Sequence, residues 1–167
     1  MAEGSALRDI SSLLVPSDCG TILFYGPANE PLADTWTITV PVIPFSADDD
    51  LQPSTFRPGV AGPVTIETSF QLDFIVFDGA RSMAELEGRS FSYPINPGNG
   101  YIDASIYLCS RHNPVDITSV RFGVVDGDTV PVSIECRVDF AFENAGAADC
   151  DTTIATRLRT VAWASRS

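Results

Sequence analysis

The stretch "VPVSIECRVDFAFE", residues 130–143, alternates apolar and polar side chains without a break from Val132 to Phe140. Successive side chains of a strand point to opposite faces, so only a β-strand can sort this pattern. Val132, Ile134, Cys136, Val138, Phe140 and Phe142 are assigned inward. Ser133, Glu135, Arg137, Asp139 and Glu143 are assigned outward. A strand buried on one face must cover that face with other strands, which makes the expected fold all-β.

Further stretches obey the same period. "TWTITVPVI" places Trp36, Ile38, Val40 and Val42 on one face, and "TILFYG" reads as a short strand before it. "VTIETSFQLDFIVF" assigns Val64, Ile66, Phe70, Leu72, Phe74 and Val76 to the core. "YIDASIYL" assigns Ile102, Ala104, Ile106 and Leu108. "TTIATRLRTVAWA" sets Ile154 and Leu158 opposite Arg157 and Arg159, then loses phase near Val161 and Trp163, where a bulge is expected. Helical signals are short. "SALRDISSLL" suits a helix with Ser5 as N-cap and Leu7, Ile10 and Leu14 on one side. "SMAELEG" carries a capping-box pair, Ser82 and Glu85, and a terminating Gly88.

At 167 residues the chain suits one domain, 1–167, with an N-terminal helix or arm over 1–18 and a proline-rich loop region over 44–63. Strands with one polar face, separated by Pro, Gly and Asn turns, predict an antiparallel β-sandwich of jelly-roll type. A flattened β-barrel is the alternative.

The hairpin around "VVDGDTV" constrains its own register. Val120, Phe122 and Val124 must share a face with Val132, Ile134 and Cys136, so paired positions must sum to an even number. A two-residue turn at Gly127-Asp128 gives an odd sum and needs a bulge to correct it. A three-residue loop, Gly127 to Thr129, sets Arg121 opposite Glu135.

All ten basic residues are arginines, against twenty-two acids, for a net charge of −12. Without lysine there is no Schiff-base or P-loop chemistry. The acidic field disfavours nucleic acid and anionic membrane and favours a basic protein partner. The N-terminus lacks a basic n-region and its apolar run, Leu13 to Val15, is short, so a cytoplasmic protein is expected. The four cysteines show no C-x-x-C spacing and are expected to be thiols.

"CSRHNPVD", residues 109–116, holds the single histidine. It reads as a connection between strands, with Asn113-Pro114 as turn residues. Cys109 and His112 have C-x-x-H spacing, but a structural zinc site wants four ligands, so no metal or other cofactor is expected. Asp116 could orient the ring for a Cys–His nucleophile. The second loop, "YPINPGNGY", has turn chemistry. It also has the amides of Asn96 and Asn99 beside Tyr93 and Tyr101, which suit sugar stacking and hydrogen bonding. Candidate ligand-binding residues are therefore Arg111, His112, Asn113, Asn96, Asn99 and Tyr101. Asp48, Asp49 and Asp50 read as a solvated acidic turn, since a calcium loop alternates its ligands and carries a glycine.

These features favour a non-enzymatic protein that acts through protein–protein contact, in the manner of an acidic inhibitor of a basic partner. A carbohydrate-binding module is second and an enzyme using His112 third. A homodimer through an open sheet edge is a further expectation.

Overall fold

A computed structural model describes residues 7–47, 51 and 63–162. Among the described residues ten strands are formed: β1 (Cys19–Tyr25), β2 (Thr35–Pro41), β3 (Phe45–Ala47), β4 (Val64–Ile66), β5 (Ser69–Ile75), β6 (Ser90–Ser92), β7 (Asp103–Leu108), β8 (Arg111–Phe122), β9 (Thr129–Val138) and β10 (Cys150–Thr160). The same residues include one helix, α1 (Met83–Leu86), and a 3-10 turn at Ser11–Leu13.

The all-β expectation holds, and the two-sheet sandwich gives way to a closed barrel. Strand β8 is long enough to pair with β7 through Arg111–Pro114 and with β9 through Val115–Phe122. Hydrogen bonding therefore runs round β1, β2, β5, β7, β8, β9 and β10 and back to β1, a ring of seven strands. The closing pair, β1 with β10, is parallel, and the other pairs are antiparallel. Strand β6 lies on β8 beyond the end of β7, and β3 with β4 makes a separate two-stranded sheet, so the proline-rich 44–63 region opens with a strand.

Closure requires β1 to approach β2 closely at Gly20. A Cβ there would sit 2.6 Å from the Thr39 carbonyl oxygen, so a side chain is excluded by backbone. The inward alternation fills the barrel as expected: Trp36, Ile38, Val40, Phe70, Leu72, Ile106, Ile134, Val138, Ile154 and Leu158 are all buried. At one end Trp36 packs between Phe24 and Phe77, and Phe77 meets Phe91 and Phe122 at 4.8 and 5.1 Å between ring centroids. The Trp36 indole N–H donates to the Ala80 carbonyl at 3.2 Å, satisfying the one polar atom of the group.

Several expectations are corrected. Phe74 and Val76 face solvent, not the core. Trp36 pairs with Ile75 and Ile38 with Leu72, so Asp73 and Phe74 together stand opposite Thr37 in a β-bulge that reverses the phase. Phe142 is exposed because β9 stops at Val138 and the chain turns, its N–H taken by the Asp139 carboxylate at 2.9 Å. No bulge disturbs β10; it keeps regular register with β9 to Arg159 and ends at Thr160, while Trp163 lies outside the described residues.

The N-terminal helix is reduced to the 3-10 turn, and Leu7 is exposed rather than aligned with buried Ile10 and Leu14. Backbone pairing overrides helical propensity there: Arg8 bridges Ala147, and its carbonyl accepts the Ala148 N–H at 2.8 Å. Ser5 and the Asp48–Asp50 run lie outside the described residues. The α1 capping box forms as expected, and Gly88 ends it at φ 67°.

The hairpin obeys the parity rule by the bulged route. Asp126 and Thr129 exchange backbone hydrogen bonds across a two-residue turn, an odd sum. By Phe122↔Val132 the sum is even, so one extra residue is absorbed between. Val124 is thereby turned out to solvent, and Arg121 stands opposite Ser133. Its guanidinium still reaches Glu135, diagonally, at 3.4 Å.

Candidate functional site

The histidine-bearing stretch is mostly strand. The turn is Cys109–Ser110, both at positive φ (48° and 67°), and it returns the chain so that Leu108 pairs with Arg111 and Tyr107 with His112. Two left-handed residues match the twist of a two-residue hairpin, although neither is the usual Asn or Gly. Asn113-Pro114 therefore sits inside β8 and not at a turn.

Because side chains alternate, the three adjacent candidates diverge. His112 points outward onto the Tyr107 ring, 5.2 Å away and nearly perpendicular to it. Asn113 is fully buried; its amide N–H groups donate to the carbonyls of Ile106 (3.2 Å) and Arg111 (2.9 Å), and its Oδ1 has no partner. The Arg111 guanidinium donates to the carbonyls of Glu143 and Asn144, tying the β9–β10 connection to the barrel end. The Cys109 thiol donates to the Leu51 carbonyl at 3.3 Å. Asp116 is four residues beyond His112 on an extended strand, about 13 Å along it, too far to orient the imidazole. The geometry assembles no Cys–His–Asp group. Among the described residues no set of three or more His, Cys, Asp or Glu side chains is placed to hold a metal ion.

The second loop is built of successive turns: Gly98 N–H donates to Ile95 O (2.7 Å) and Tyr101 N–H to Gly98 O (3.1 Å). The Asn96 N–H donates to the Asp116 carboxylate at 3.2 Å, which brings the two candidate segments together at one point. Tyr93 is half-buried, its hydroxyl donating to the Val76 carbonyl at 3.2 Å, and burial pushes its phenol upward from the usual value. Asn96, Asn99 and Tyr101 are exposed.

Near Tyr101 in sequence or strand pairing come exposed apolar residues that the sequence reading did not single out as candidates. Phe74 occupies the left-handed region at φ 56° and is 52% exposed. A bulky side chain is a genuine outlier there, and burial of its ring does not explain it. Val76, Ile95 and Tyr101 are 58%, 55% and 40% exposed. Strands β5 and β7 pair Asp73 directly with Asp103, and Phe74 and Tyr101 both lie toward the same end of that pair, one residue after Asp73 and two before Asp103. The available signal was the run Phe74-Ile75-Val76-Phe77: four consecutive apolar residues cannot all face inward on a strand.

Charge is divided round the barrel. Strands β1, β2, β5 and β7 contain no basic residue. The arginines of β9 and β10 are answered by acids: Arg137 with Asp149 and Asp151, Arg157 with Asp126, and Arg159 with Asp128, at 3.1 to 3.7 Å. Open depressions occur among the described residues. One of about 470 Å³ is lined by Pro41, Ile43, Pro44 and Glu67, and one of about 360 Å³ by Thr118, Glu135, Arg137 and Asp151; neither includes a candidate residue. Among the described residues no helix is long and apolar enough to cross a membrane. No protein-family model, curated protein or solved structure matches the chain.

Proposed function

We propose that the protein acts by contact with a basic protein partner rather than by catalysis. The supporting observation is the division of charge: arginine and acid answer each other on β9 and β10, whereas β1, β2, β5 and β7 hold no arginine and two carboxylates, Asp73 on β5 and Asp103 on β7, that no cation answers among the described residues. Exposed ion pairs contribute little to stability, about 0.2–1 kcal/mol each, but unanswered carboxylates on a chain of net charge −12 steer a basic partner. The partner is to be found by in-cell cross-linking and mass spectrometry, and its association measured by stopped flow. Raising ionic strength from about 0.01 M to 0.15 M shortens the Debye length from roughly 30 Å to 8 Å, so the on-rate should fall steeply and the off-rate less. An on-rate indifferent to salt would count against steering.

A carbohydrate module is the second reading, favoured by the exposure of Asn99 and Tyr101 on one turn-rich loop. The His112 enzyme gains no support, since Cys109 and Asp116 are engaged elsewhere. A homodimer through a sheet edge would have to use β6 or the β3–β4 pair, because each barrel strand is paired on both sides.

A further inference from the structure

We infer that Asp73, Asp103, Phe74 and Tyr101 form a recognition site for a lysine or arginine side chain of a partner protein. This rests on the protein-contact reading and gives it a location.

Asp73 and Asp103 are direct cross-strand partners, a position where two side chains come within about 5 Å at Cβ and where like charges repel. Neither has an ion-pair partner among the described residues. The Asp73 carboxylate is held in place: its Oδ1 accepts from the Thr37 hydroxyl at 3.2 Å and the Gln71 amide at 3.0 Å. Two arginines are occupied elsewhere. Arg89 donates to the carbonyls of Asp78 and Glu85 and lies over the Phe91 ring, and Arg81 pairs with Asp34. Asp116 adds a third acid on the β8 side, its carboxylate already accepting the Asn96 N–H.

A repelling pair of carboxylates is complemented by a cation from outside. The bulge supplies the other half of the site. It turns the Phe74 ring out to solvent next to Asp73, while exposed Tyr101 lies in the loop that leads into β7, two residues before Asp103. A guanidinium or ammonium between the carboxylates would lay its apolar stem along these rings, gaining charge-assisted hydrogen bonds and a cation–π contact together. An uncharged sugar would use the rings and leave the carboxylate repulsion in place.

The test is a titration of the ¹⁵N-labelled full chain with the peptide acetyl-Gly-Arg-Val-Arg-Gly-amide, its Glu-for-Arg twin, and cellotriose. The arginine peptide should shift amides at residues 73–76 and 101–103, and the Glu twin should not. Asp103→Asn and Phe74→Ser should each weaken it by about fivefold or more, whereas Asp151→Asn, the same charge change on the ion-paired wall, should leave it within about twofold. No binding, shifts centred elsewhere, equal weakening by Asp151→Asn, or shifts with cellotriose alone would each overturn the site. A native partner whose cross-links avoid these four residues would overturn it too, while leaving the protein-contact reading standing.

Discussion

Tyr107 and His112 are cross-strand partners on β7 and β8, with ring centroids 5.2 Å apart and planes inclined at 74°. That edge-to-face contact is what the single histidine does in the fold. Aromatic pairs of this kind contribute about 0.5–1.5 kcal/mol, with exposed ones at the low end. His112→Ala is therefore expected to cost about 0.5 kcal/mol in urea denaturation. A loss of several kcal/mol would mean that the imidazole holds something more than Tyr107.

Phe74 gives a second, sharper expectation. In an ordinary strand glycine is less stable than alanine by about 0.5–1 kcal/mol. At φ 56° the order should invert, because alanine in the left-handed region carries a cost of about 1–2 kcal/mol that glycine escapes. Phe74→Gly should thus be more stable than Phe74→Ala by about 0.5–1 kcal/mol in the same denaturation assay. The normal order would show that the bulge relaxes and that no strain is held there.

The extent to which the sequence foretold this molecule depends on where strands change phase. Long regular runs were legible: β9 and β10 bury Val132, Ile134, Cys136, Ile154 and Leu158, as alternation requires. Barrel closure was not, because it depends on β8 serving two neighbours along its length, a long-range pairing that periodicity does not encode. The Cys109–Ser110 turn was missed for a local reason. Its residues lack turn chemistry, and the more turn-like Asn113-Pro114 sits four residues downstream inside a strand. Asn96 and Asp116 were both singled out from sequence and do meet, but through the Asn96 backbone N–H, which no side-chain pattern reveals.

The cysteines should separate by reactivity. Burial above all, then Cys150 and Asp151, pushes the Cys136 thiol up to about 12; burial chiefly, with Asp9 next, raises Cys150 to about 11. At pH 8 the Cys136 thiolate fraction is then on the order of one in ten thousand. Cys19 is exposed and Cys109 half-buried. With a thiol reagent in native buffer the expected order is Cys19, then Cys109, then Cys150 and Cys136. Early labelling of Cys136, read by peptide mass, would place β9 with its faces reversed.

Glu85 should make the first turn of α1 sensitive to acid. Its carboxylate accepts the Arg81 N–H at 2.7 Å and the Ser82 N–H at 3.0 Å. The Arg81 backbone bond above all, then the Ser82 side chain, holds its pKa below the ordinary 4.5. A carboxylate whose pKa is depressed by folding contributes stability above its unfolded value and loses that contribution as pH falls through the folded value. The amide protons of Arg81 and Ser82 should therefore titrate together in NMR spectra, with a common midpoint below 4.5. Glu85→Gln, which keeps a hydrogen-bond acceptor and removes the charge, should abolish the titration while α1 stays formed at neutral pH. If the two amides titrate at or above the ordinary carboxylate value, or continue to titrate in Glu85→Gln, then Glu85 is not the group that holds the turn.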